Sequence, residues 1–68
     1  MQSNITKREK EIINLIAEGY SNKEISNKLR ISECTVKTHI KFIMLKLQAR
    51  SRVEIAAYYF KNIKEFSE

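Results

Sequence analysis

The 68-residue sequence contains no proline, and glycine, cysteine and histidine each occur once. So little turn punctuation argues against a fold built from many short connected strands. One cysteine, Cys34, cannot build a disulfide framework, and it suits a reducing compartment. No apolar run approaches the roughly 20 residues of a membrane-spanning helix. The opening Met-Gln-Ser-Asn lacks the charged-then-apolar pattern of a signal peptide. A cytoplasmic protein that does not engage a membrane is therefore expected. The lone histidine, His39, has no second ligand-type neighbour, so no metal site is expected. Without a glycine-rich phosphate loop, and with too thin a core to desolvate a catalytic group, the sequence reads as a non-enzyme with no cofactor.

What the chain does have is positive charge and helical periodicity. Thirteen Lys and Arg stand against eight Asp and Glu, for a net +5. That excess favours a polyanionic partner, nucleic acid before all others. A chain this short is one domain over residues 1–68, with a core at about 5–63. It buries only roughly 60% of the surface its unfolded form exposes. Helix packing is the economical solution at this size.

Three pairs fit the capping box, in which a Ser or Thr hydroxyl and a Glu three residues later satisfy early backbone amides reciprocally: Thr6/Glu9, Ser21/Glu24 and Ser51/Glu54. Ser32 is a fourth N-cap candidate. These punctuate an all-α fold of four helices at about 7–18, 22–29, 33–47 and 52–63. Ile12, Ile13 and Ile16 share one face of the first helix, and Gly19 suits its left-handed end. Val36, Ile40, Ile43 and Leu47 form a 4-3-4 stripe along the third. In the fourth, Val53, Ala56, Ala57 and Phe60 lie on one side, which suits pairing with another helix and equally suits core packing. Residues 1–4 and 65–68 are expected to fray.

Only Arg30, Ile31 and Ser32 separate the second and third helices, so the pair is forced into a large crossing angle, the helix-turn-helix arrangement. Ile31 reads as an apolar plug in that turn. On a helical wheel with Lys37 at zero, the apolar stripe of the third helix lies at about −60° to −120°. Cys34, Lys37, Thr38 and Lys41 lie between about 0° and +100°, so they must face outward when the stripe is buried. Lysine can donate to guanine O6 and N7, and threonine can donate, accept or touch a thymine methyl. Lys37, Thr38 and Lys41 are therefore the candidate base readers of double-stranded DNA. Asn22 and Lys23 open the second helix, where free amides suit anions. Together with Ser32, Thr35, His39, Lys46 and Arg50 they are the candidate contacts to the DNA backbone. For His39 a partly buried packing role stands beside the phosphate contact.

These residues resemble the LuxR-type, or NarL/FixJ/GerE, helix-turn-helix domain. The resemblance opens at Ile5-Thr6-Lys7-Arg8-Glu9-Lys10-Glu11-Ile12 and continues through Gly19 and Asn22-Lys23-Glu24-Ile25. It runs on through Leu29, Ile31-Ser32, Thr35-Val36-Lys37-Thr38-His39, Ile43 and Lys46-Leu47, and ends in Ser51-Arg52-Val53-Glu54 and the alanines after it. It implies a sequence-specific transcription regulator, either a stand-alone GerE-like protein or the effector domain of a response regulator. It also implies a homodimer through the fourth helix on two half-sites, and RNA polymerase as a further partner. Glu9 and Arg52 match positions that tie helices together. Cys34 stands where the family often has a basic or polar residue. Gln48 stands where a small residue, often glycine, precedes the fourth helix, which implies a longer or re-angled turn.

Two rival readings share parts of this pattern. A sigma region 4-like domain has the same capped helix-turn-helix grammar, but His39 and the capped fourth helix argue against it. A protein-interaction module or antagonist pairing through the fourth helix would not need the basic outward face of the third.

Overall fold

A computed structural model describes residues 5–66. It contains α1 (Lys7–Ala17), α2 (Asn22–Leu29), α3 (Glu33–Leu47), α4 (Arg52–Lys61) and a single turn, α5 (Ile63–Phe66), with no strand among the described residues. None of these helices is long and apolar enough to cross a membrane. The expected frayed ends at 1–4 and 67–68 lie outside the described residues.

The caps set the helix starts. The Thr6 hydroxyl accepts from the Glu9 amide at 3.1 Å, and Glu9 Oε1 accepts from the Thr6 amide at 2.9 Å. Ser21 and Glu24 repeat the same exchange at the same distances. At Ser51 the reciprocal box does not close. The Ser51 hydroxyl accepts from the Glu54 amide at 3.3 Å, but the Glu54 carboxylate reaches one residue further back, to the Arg50 amide at 2.7 Å. Ser32 caps α3 by accepting from the Thr35 amide at 3.0 Å.

The helix ends use left-handed backbone. Gly19, with φ 94°, follows α1 without a steric cost. Arg30 (φ 60°) ends α2 and Gln48 (φ 56°) ends α3, each in a conformation that costs an L-residue roughly 1–2 kcal/mol. Gln48 thus performs the turn itself, and the Ala49 amide closes it on the Met44 carbonyl at 2.9 Å. The fourth helix is shorter than the 52–63 expected. The Asn62 side-chain amide donates to the Tyr58 carbonyl at 3.0 Å, a local bond that competes with continued helix. The chain then turns into α5, so residues 65 and 66, expected to fray, belong to a helix. Phe66 packs beside Tyr58 and Tyr59, with ring centroids 6.1 and 5.0 Å apart.

The core is almost pure isoleucine: Ile12, Ile13, Ile16, Ile25, Ile40, Ile43 and Ile55, joined by Val36. β-Branched side chains are poor helix formers but have few rotamers, so packing and caps carry these helices more than propensity does. α1 packs most extensively on α4, and α2 on α3, with α3 also meeting α1 and α4. The stripe Val36–Ile40–Ile43 is fully inside, while Leu47 and the turn residue Ile31 are half-buried against the same core.

Candidate nucleic-acid interface

Burying one stripe of α3 fixes where its other face points. Lys37, Thr38 and Lys41 are all exposed, as is Cys34, which is a free thiol. Neither lysine makes a salt bridge among the described residues, so both ammonium groups remain open to an anionic partner. The Thr38 hydroxyl donates back to the Cys34 carbonyl at 3.1 Å, which leaves its methyl and its oxygen lone pairs outward.

The residues expected to flank a DNA groove divide into three groups. Lys23, Ser32 and Thr35 are exposed near the starts of α2 and α3. Ser32 donates its proton to Thr35 Oγ1 at 2.9 Å, so the Thr35 proton is left for an acceptor outside. Arg50 is also on the surface, its side chain 89% exposed and loosely paired with Glu54 at 3.5 Å. Asn22, His39 and Lys46 are less available. His39 is half-buried. Asn22 Oδ1 accepts from the Arg52 guanidinium at 2.6 Å, and a second nitrogen of Arg52 donates to the Tyr20 carbonyl. Arg52 thus ties the start of α4 to the turn before α2.

Lys46 is exposed, but its ammonium is tied to the domain. Its ammonium donates to both carboxylate oxygens of Glu9, at 2.9 and 3.0 Å, joining α3 to the start of α1. Glu9 is buried, and burial pushes its carboxyl up. The Thr6 amide, the hydrogen bond and charge of Lys46, and the Thr6 hydroxyl outweigh burial and hold the carboxyl below its ordinary 4.5. Lys46 therefore serves as a counter-ion of a buried cap residue, a role that stands beside the phosphate contact expected of it.

The proposed dimerisation residues also divide. Val53 (77% exposed), Ala57 and Phe60 (61% exposed) face outward, opposite the buried Ile55. Ala56 turns toward the boundary and packs on the core.

Two exposed apolar residues of α3 were not singled out from the sequence: Leu45, 66% exposed, and Phe42, 50% exposed. On the wheel Leu45 falls at about +80°, within the same sector as Thr38 and Lys41. Its position was readable, but a leucine on an amphipathic helix reads first as core. Leu45 lines a groove of about 450 Å³ together with the apolar Ile40, Met44 and Ala49, the lysines Lys37 and Lys41, and Asn22 and Arg52.

A tight helix-turn-helix with an outward basic face, closed by a fourth helix, defines the class. The chain belongs to the family described as "Bacterial regulatory proteins, luxR family", whose match covers residues 3–59. Among its curated relatives is the transcriptional regulatory protein LiaR of Bacillus subtilis, 52% identical over 58 residues, covering 85% of this chain and 28% of the relative. The nitrate/nitrite response regulator protein NarL of Escherichia coli is 46% identical over 54 residues, covering 79% of this chain and 25% of the relative. The response regulator protein VraR of Staphylococcus aureus is 45% identical over 58 residues, covering 85% and 28%. The chain thus spans only about a quarter of the length of these relatives.

Proposed function

We propose that this domain binds double-stranded DNA sequence-specifically in the cytoplasm and regulates transcription, with α3 in the major groove. The observation that carries the reading is the opposition on one helix of a buried Val36–Ile40–Ile43 stripe and an exposed Lys37–Thr38–Lys41 face. An α-helix fits the major groove, and those side-chain types match its guanine and thymine edges. Lys23, Ser32, Thr35 and Arg50 hold the backbone, Asn22 contributing through its side-chain NH₂ and His39 from the flank. The names of the relatives, two of them response regulators, support a regulatory role.

Val53, Ala57 and Phe60, with Ala56 at the edge, pair α4 with its copy, placing two readers on two half-sites. Selection from random DNA followed by measured affinities tests both parts. A recovered site with two related half-sites, bound cooperatively, is the expected result. Phe60→Asp, on a residue outside the core, should leave each half-site occupied independently. Cooperative binding undiminished by Phe60→Asp would remove the α4 dimer.

A further inference from the structure

The proposed function gives the basic face the guanine edges and leaves Leu45 without a role. Leu45 is 66% exposed, so its side chain is available to a partner. It lies one turn beyond Lys41, about 6 Å further along the helix axis. It also lines, with Met44, the groove that Lys37 and Lys41 line. A cationic edge and an apolar edge therefore stand side by side on the helix face assigned to base reading.

The major groove offers one apolar group, the C5-methyl of thymine. We propose that Leu45 is a specificity-determining residue that packs against a thymine methyl close to the pair read by Lys41. The inference rests on the reading of α3 as the DNA-reading helix and deepens it. The half-site then pairs lysine-read guanine with a leucine-read thymine at a fixed offset. Leu45 is well suited to this because it is not part of the core, so its contact area is available to the ligand. The half-buried Met44 lines the same groove beside it. Phe42 is a weaker candidate, because at about 140° on the wheel it is rotated away from both lysines.

The test uses the site recovered by random-DNA selection and replaces thymines one at a time with deoxyuridine, which removes only the methyl. One thymine per half-site should show about a fourfold loss for the unaltered domain, the worth of one buried methyl-sized group. Leu45→Ala should bind the thymine and deoxyuridine sites equally, and Leu45→Met should restore the preference. Circular dichroism should show Leu45→Ala folded, as expected for an exposed side chain.

A thymine preference that persists in Leu45→Ala, or no single thymine whose methyl matters, would overturn the assignment. In either case the neutral or harmful effect of Lys37→Ala would show separately whether α3 reads DNA. A chain that selects no DNA would overturn the underlying reading, and this assignment with it.

Discussion

The outward faces of α3 and α4 are built on the same plan and finished differently. Each helix buries β-branched residues, Val36, Ile40 and Ile43 in α3 and Ile55 in α4. Opposite that buried side, α3 presents Lys37, Thr38 and Lys41, whereas α4 presents Val53, Ala57 and Phe60. A charged face is well solvated and suits a polyanion, while an apolar face gains free energy when something apolar covers it. The difference fits the two partners proposed for this small core, DNA for α3 and a copy of the chain for α4. It also shows why net charge alone is a poor guide here. Lys37 and Lys41 make no salt bridge among the described residues, whereas Lys46 pairs with Glu9.

The comparison breaks first on the inside. Ile43→Ala removes a fully buried side chain shared by the helices around α3 and should cost about 2–5 kcal/mol, enough to unfold a domain this small. Leu45→Ala, two residues on, should leave the unfolding midpoint nearly unchanged. Equal losses in urea melts would mean that the two faces of α3 are not distinct.

Lys46 sharpens the comparison by separating a structural cation from a reading one. Lys46→Met leaves Glu9 buried beside an apolar chain and should cost about 1–3 kcal/mol of stability, with little change in DNA affinity of the folded fraction. A loss of affinity without a loss of stability would make the phosphate contact the role of Lys46.

The same pair predicts an acid dependence. Glu9 has a lowered pKa in the folded domain, so its contribution is fully present above 4.5 and is lost as pH falls through that lowered value. Thermal melts should therefore fall below pH 4.5, and Glu9→Gln should flatten that part of the profile. An unchanged slope in Glu9→Gln would place the acid sensitivity elsewhere.

The smallest expected effect is a gain. Gln48 sits at φ 56°, so Gln48→Gly relieves left-handed strain and should raise stability by up to about 1 kcal/mol, the entropy of glycine offsetting the rest. A drop in stability would show that the Gln48 side chain contributes contacts beyond the turn.

Much of this architecture was legible because it is local. α2 and α3 begin where Ser21 and Ser32 cap them, and their bounds match those expected from the sequence. The buried stripe of α3 follows from spacing alone. Where the reading failed, a side chain chose among local alternatives of similar energy. Glu54 took the Arg50 amide in place of that of Ser51, and Asn62 bonded the Tyr58 carbonyl and ended α4 early. The Lys46–Glu9 pair spans 37 positions, so no local spacing rule could reveal it. The split of the α4 face, with Ala56 inward and Ala57 outward, needed the packing partner α1 to be in place.

Base reading by the outward face of α3 is the proposal on which the others depend. Its most direct test is fluorescence anisotropy of the unaltered domain, Lys37→Ala and Lys41→Ala on the selected site and on random DNA, at one fixed salt concentration. Each variant should remain folded and lose about 1–3 kcal/mol on the selected site, with a much smaller loss on random DNA. Unchanged affinity for the selected site in both folded variants would contradict the account.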